Sequence, residues 1–126
     1  MLGHAQGELL AQIRPAGTTA VTLFEALQLR VEITLILACI DSDGPATTTV
    51  ALYHDVNGTT YADTNIIDRQ TRTQLTQDSK MFQAQHPGSG LFLAPGDSLG
   101  VAVGDADDVV ISVYGITESR LGAGGT

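Results

Sequence analysis

The chain has 126 residues, one cysteine, no tryptophan and a formal net charge of −8, from 14 acidic against six basic side chains. That length makes one domain, able to bury roughly two-thirds of its unfolded surface without a metal or a disulfide. The charge repels phosphate backbones, and Arg14, Arg30, Arg69, Arg72, Lys80 and Arg120 are scattered, so a nucleic-acid surface is excluded. No apolar run reaches the length of a membrane span.

Residues 1–8 have no regular period and read as an N-terminal arm that a partner would order. They lack the basic start and apolar core of a signal peptide, which predicts synthesis in a reducing cytoplasm. Leu9, Ala11 and Ile13 alternate as a first strand, closed by Pro15 and Gly17. Residues 18–24, rich in β-branched side chains, predict a second strand, with a helix through TLFEALQL as the competing reading.

From residue 29 the odd positions are Leu29, Val31, Ile33, Leu35, Leu37 and Cys39, a period-two pattern that predicts a long strand with this set on the core. Cys39 then reads as a buried, inert thiol. The even positions begin Gln28, Arg30, Glu32 and Thr34 and become apolar at Ile36, Ala38 and Ile40, so the second half of the strand needs cover on both faces.

Asp41, Ser42, Asp43, Gly44 and Pro45 end that strand, and residues 47–53 predict the next, with Val50 and Leu52 on one face. Asn57-Gly58 is a hairpin-type turn, from which residues 59–62 would return. Residues 63–80 are polar, anchored by Ile66, Ile67 and Leu75, and read as a long surface excursion with a short strand near its end. Residues 81–85 lead as a strand into HPGSGLFLAPGDSLGVAV, where two Pro-Gly turns bracket the apolar run Leu91, Phe92, Leu93. Leu99, Val101 and Val103 then alternate with Ser98, Gly100 and Ala102, a small-residue face that lets another layer approach closely. Asp105, Asp107 and Asp108 form an acidic turn, and Val109, Ile111 and Val113 alternate with Val110, Ser112 and Tyr114 in the last strand. The pattern predicts an all-β fold: an antiparallel β-sandwich, jelly-roll-like, of about eight strands over residues 9–117, with a flexible C-terminal tail over 118–126.

No chemical constellation emerges. Asp41, Asp43, Asp55 and Asn57 lack the ligand ladder of an EF-hand and read as turn caps; Asp105, Asp107 and Asp108 read as a solvated tip with at most a weak cation site. His4, His54 and His86 have no metal-ligand spacing, with each other or with Cys39. His54 beside Asp55 lacks a nucleophile and an oxyanion site, Ser89 is a turn residue, and neither glycine-rich turn opens a helix as a phosphate loop does. The expectation is therefore no enzyme, no cofactor, no metal. The scarcity of aromatics argues against a sugar-stacking groove. What stands out is apolar surface: Ile36, Ala38 and Ile40 in one strand, Val110, Tyr114 and Ile116 in another, covered either by the chain's own loops or by a subunit.

The runs RPAGTTAVTLFEA, TLILACI, LYHDVNGTTY, FQAQHPGSGLFLAPGDSLGV and VVISVYGIT resemble small β-sandwich virion structural proteins of tailed bacteriophages, of the capsid cement or decoration type. The likeness spans roughly residues 9–117 but not 63–80, and is one of strand and turn pattern without a chemical motif. It implies a homo-oligomer, in such proteins typically a trimer, that binds the major capsid protein on the outside of the shell. It implies no membrane and no nucleic-acid partner. A receptor-binding, fibre, tail or head-spike accessory module is the alternative.

Overall fold

In the computed structural model, which describes residues 7–74, 79–86 and 88–117, nine strands form two antiparallel sheets. They are β1 (Glu8–Ile13), β2 (Val21–Glu25), β3 (Val31–Ile40), β4 (Thr47–Asp55), β5 (Ile66–Thr73), β6 (Lys80–Gln83), β7 (Leu91–Leu93), β8 (Ser98–Val103) and β9 (Val109–Thr117). The first sheet runs β1-β9-β3-β6, with β7 also on β3; the second runs β2-β8-β4-β5. The first strand lies beside the last and the second beside the last but one. This is the wrap of a jelly roll. The strand over the predicted eight is β5; β6 and β7 are two halves of one edge, both paired with β3.

The core lies between the sheets. Ile33, Leu52, Leu93, Leu99, Val101, Val109, Ile111 and Val113 are among its fully buried side chains. Ile36, Ala38 and Ile40 belong to it too, at 1%, 3% and 6% exposure, which corrects their assignment to an outer face. The cause is a bulge. Between Ile33 and Leu35 the β3–β9 register shifts by one residue. A bulge inserts one residue and so reverses which alternate side chains face inward. Val31 and Ile33 point into the core before it, Ile36, Ala38 and Ile40 after it. Leu35, Leu37 and Cys39 are turned to the outside, and Cys39 is exposed rather than buried.

The structure also departs from expectation in the polar middle. Residues 66–73 are not a surface excursion but an eight-residue strand on the edge of the second sheet. Its inward-leaning positions carry Asp68, Gln70 and Arg72, joined by hydrogen bonds from Gln70 Nε2 to Asp68 Oδ2 (2.6 Å) and from Arg72 Nη1 to Gln70 Oε1 (2.6 Å). Charges on the inward side of an edge strand hinder its pairing with another chain. TLFEALQL is not helical: Val21–Glu25 is extended and pairs with β8. Residues 59–62 form no return strand. Instead Tyr61 lies over Gly100, where a Cβ would stand 2.5 Å from its ring; this is the close approach that the small-residue face of β8 allows.

Both Pro-Gly turns form where expected. Asp97 N–H donates to Ala94 O (2.9 Å) and Gly96 takes φ +96°, a conformation that favours glycine. In the other turn Ser89 N–H donates to His86 O (3.1 Å). This second turn fills the gap between β6 and β7 and is anchored on Glu32. Glu32 is 5% exposed, and its Oε2 accepts N–H groups from Gly88 (2.7 Å) and Gly90 (2.8 Å). Removing the carboxylate leaves two donors without an acceptor, each worth about 1–3 kcal/mol when buried. Glu32→Ala should lower stability by about 2–3 kcal/mol by that reckoning and open the chain near Ser89 to proteases. Thermal melts and limited proteolysis check it.

Residues 1–6 of the expected arm and all of 118–126 lie outside the described residues, while Glu8, the arm's last residue, already opens β1.

Candidate interaction surface

Two outer faces can be read from the register, and they differ. The outer face of the β2-β8-β4-β5 sheet carries the cross-strand threonine pairs Thr47–Thr73 and Thr49–Thr71, all exposed, beside Arg69. Apart from Ile67, which points out at 47% exposure, that is the polar, solvated side usual for an antiparallel sheet. The outer face of the β1-β9-β3-β6 sheet is apolar instead. In one row Leu9, Tyr114, Leu35 and Gln83 lie side by side across four strands, Leu35 only 7% exposed. The next row holds Gln12, Ser112 and Leu37, with Gln12 Nε2 donating to Ser112 Oγ (2.9 Å). Beyond these come Cys39 beside Val110 at one end and Phe92, Glu32 and Ile116 at the other.

Of the predicted interface residues, Val110, Tyr114 and Ile116 stand together on this face, half-buried. Ile36, Ala38 and Ile40 do not. Their places are taken by Leu35, Leu37 and Cys39, which the sequence pattern put in the core. Leu9 and Phe92, at 50% and 37% exposure, extend the apolar area and were not singled out from the sequence. The signal for them was phase alone, since Leu9 pairs with Tyr114 and Phe92 with Glu32. Charge on the face is sparse and mainly positive: Lys80 stands beside Leu37, and the Arg30 guanidinium lies over the Phe92 ring (4.4 Å), against the loop-bound Glu32.

The candidate chemistry elsewhere resolves into joints. At one end of the sandwich Ser98, fully buried, donates its single proton to Gly58 O (2.6 Å). Tyr61 OH must then donate to Ser98 Oγ (2.7 Å), and Thr22 Oγ1 to Tyr61 OH (2.9 Å). A serine whose proton is held by a carbonyl is not poised for attack. Beside it Asp97 accepts N–H groups from Asn57 (2.9 Å) and Ala94 (3.0 Å), with His54 Nε2 at 3.6 Å. Burial alone would raise the Asp97 pKa, but those two N–H groups and His54 outweigh it and hold the carboxyl below its ordinary 3.8.

The acidic turns are likewise engaged. Arg14 bonds the Asp41 carboxylate, which lowers the Asp41 pKa, and also donates to Asp107 O (2.9 Å). Asp41 Oδ1 caps Asp43 N–H, and Asp55 Oδ2 caps Thr60 N–H. Among the described residues no three His, Cys, Asp or Glu side chains gather as metal ligands. His86 sits in the turn that Ser89 closes, and His4 lies outside the described residues.

Set against known protein families, curated proteins and solved structures, the chain matches none. The face itself therefore carries the functional argument. A sheet with one side in the core and an apolar other side gains by covering it, because each Å² of apolar surface removed from water is worth about 25 cal/mol.

Proposed function

We propose that this protein is a non-enzymatic assembly subunit of the virion cement type, which associates through the outer face of its β1-β9-β3-β6 sheet and binds the major capsid protein from outside. The observation that carries the reading is the difference between the two outer faces: threonine pairs and Arg69 with one exposed apolar residue, Ile67, on one sheet, and Leu9, Leu37, Phe92, Val110, Tyr114 and Ile116 among fewer polar residues on the other. The jelly-roll wrap and the resemblance in strand and turn pattern to phage decoration proteins support the virion setting. The net charge of −8 suits an exterior subunit, kept away from packaged DNA.

Purified protein should co-sediment saturably with phage heads stripped of their decoration, and should raise the temperature at which filled heads rupture. Attachment to tails or fibres in place of heads would transfer the reading to an accessory module. Binding to neither would overturn it.

A further inference from the structure

We infer that the apolar face is occupied by a second copy of the same chain, the two sheets packed face to face about a twofold axis. The inference names a partner for the proposed assembly surface and rests on that reading.

Strand addition is blocked at every edge of the sandwich. β1 is bulged between Leu9 and Ala11, and β2 between Thr22 and Phe24. β5 turns Asp68 and Arg72 inward. The edge made by β6 and β7 is split by the turn bound to Glu32. Bulges, inward charges and short edge strands are the devices that stop sheets from joining side to side. What remains for self-association is a face.

The face is large enough. β3 has ten residues and β9 nine. At about 3.3 Å per residue and about 4.8 Å between strands, β3 and β9 run about 30 Å while β1 and the split β6–β7 edge run about 20 Å each. That is about 500 Å² in flat projection, and more once side-chain relief is counted, against about 800 Å² of accessible surface per partner in a standard interface.

Charge selects the same geometry. Two molecules at −8 each repel over most of their surfaces, and least on a face whose few charges are Lys80 and Arg30 against Glu32. A closed ring of three needs two different patches on each subunit, whereas a twofold pair needs one that complements itself. With Ile36, Ala38 and Ile40 in the core, the second patch that the sequence offered for a ring is gone.

Sedimentation equilibrium of the intact chain tests this. Wild type should form a dimer at micromolar concentration. Leu37→Lys and Val110→Lys, each judged only if its circular dichroism is native, should weaken dimerisation about a hundredfold or more, because a twofold axis buries both introduced charges. Thr71→Lys, on the threonine-paired face, should leave it unchanged. A wild-type monomer at high micromolar concentration, a trimer, or a dimer that Thr71→Lys disrupts while Leu37→Lys and Val110→Lys do not would overturn the inference. Head binding is measured separately, so a monomer that still decorates heads would defeat the pairing and leave the cement reading standing.

Discussion

Ile36→Asp should leave little or no folded protein, while Leu37→Asp, one position along the same strand, should fold. Ile36 is 1% exposed in the core, whereas Leu37 is half-buried on the outer face. A carboxylate at position 36 would have no cationic partner beside Leu52, Met81, Phe82 and Leu91 and would share that cavity with the Asp68 carboxylate, at a cost of about 4 kcal/mol or more. That approaches the whole stability of a small domain, about 5–15 kcal/mol. At position 37 the carboxylate reaches water, and the loss is that of a partly covered leucine, about 1 kcal/mol. Urea titration followed by circular dichroism separates the two. The reverse order would place the phase change of β3 elsewhere.

The second large effect belongs to Asp97. Its carboxylate ties the Ala94 turn to the tip that follows β4, through N–H groups of Ala94 and Asn57. Asp97→Ala should cost about 2 kcal/mol at neutral pH, from the loss of two hydrogen bonds to a charged acceptor. The pH dependence has a definite sign. The folded-state pKa lies below the ordinary 3.8, so the carboxylate's contribution is complete above that value and is lost as pH falls through the depressed one. The gap between wild type and Asp97→Ala should therefore narrow on acidification below about pH 4. A gap that stays constant, or widens, would show that the carboxylate form is not what stabilises the turn.

The strands were largely legible because β-branched and apolar residues alternate between Pro-Gly and Asn-Gly turns, and those signals are local. The side each strand turns inward was not. In β3 both parities are apolar from Leu35 to Ile40, so alternation alone could not locate the bulge at Thr34 that exchanges them. A half-wet strand would have revealed it, as β9 does through Ser112. β5 was lost for the opposite reason. Its inward positions, Asp68, Gln70 and Arg72, are polar and bond to one another, while Ile67 points out at 47% exposure, so the usual hydrophobic signal is inverted. The candidate face was accordingly half visible: Val110, Tyr114 and Ile116 were legible from β9, while Leu35, Leu37 and Cys39 needed the register.

Cys39 offers the most direct test of that face, because it is the chain's one thiol and lies beside Val110. The measurement is the rate of maleimide labelling of native protein from nanomolar to high micromolar concentration. Face-to-face pairing predicts labelling that slows as concentration rises, with Leu37→Lys restoring the fast rate throughout. A rate independent of concentration, equal in wild type and Leu37→Lys, would contradict it.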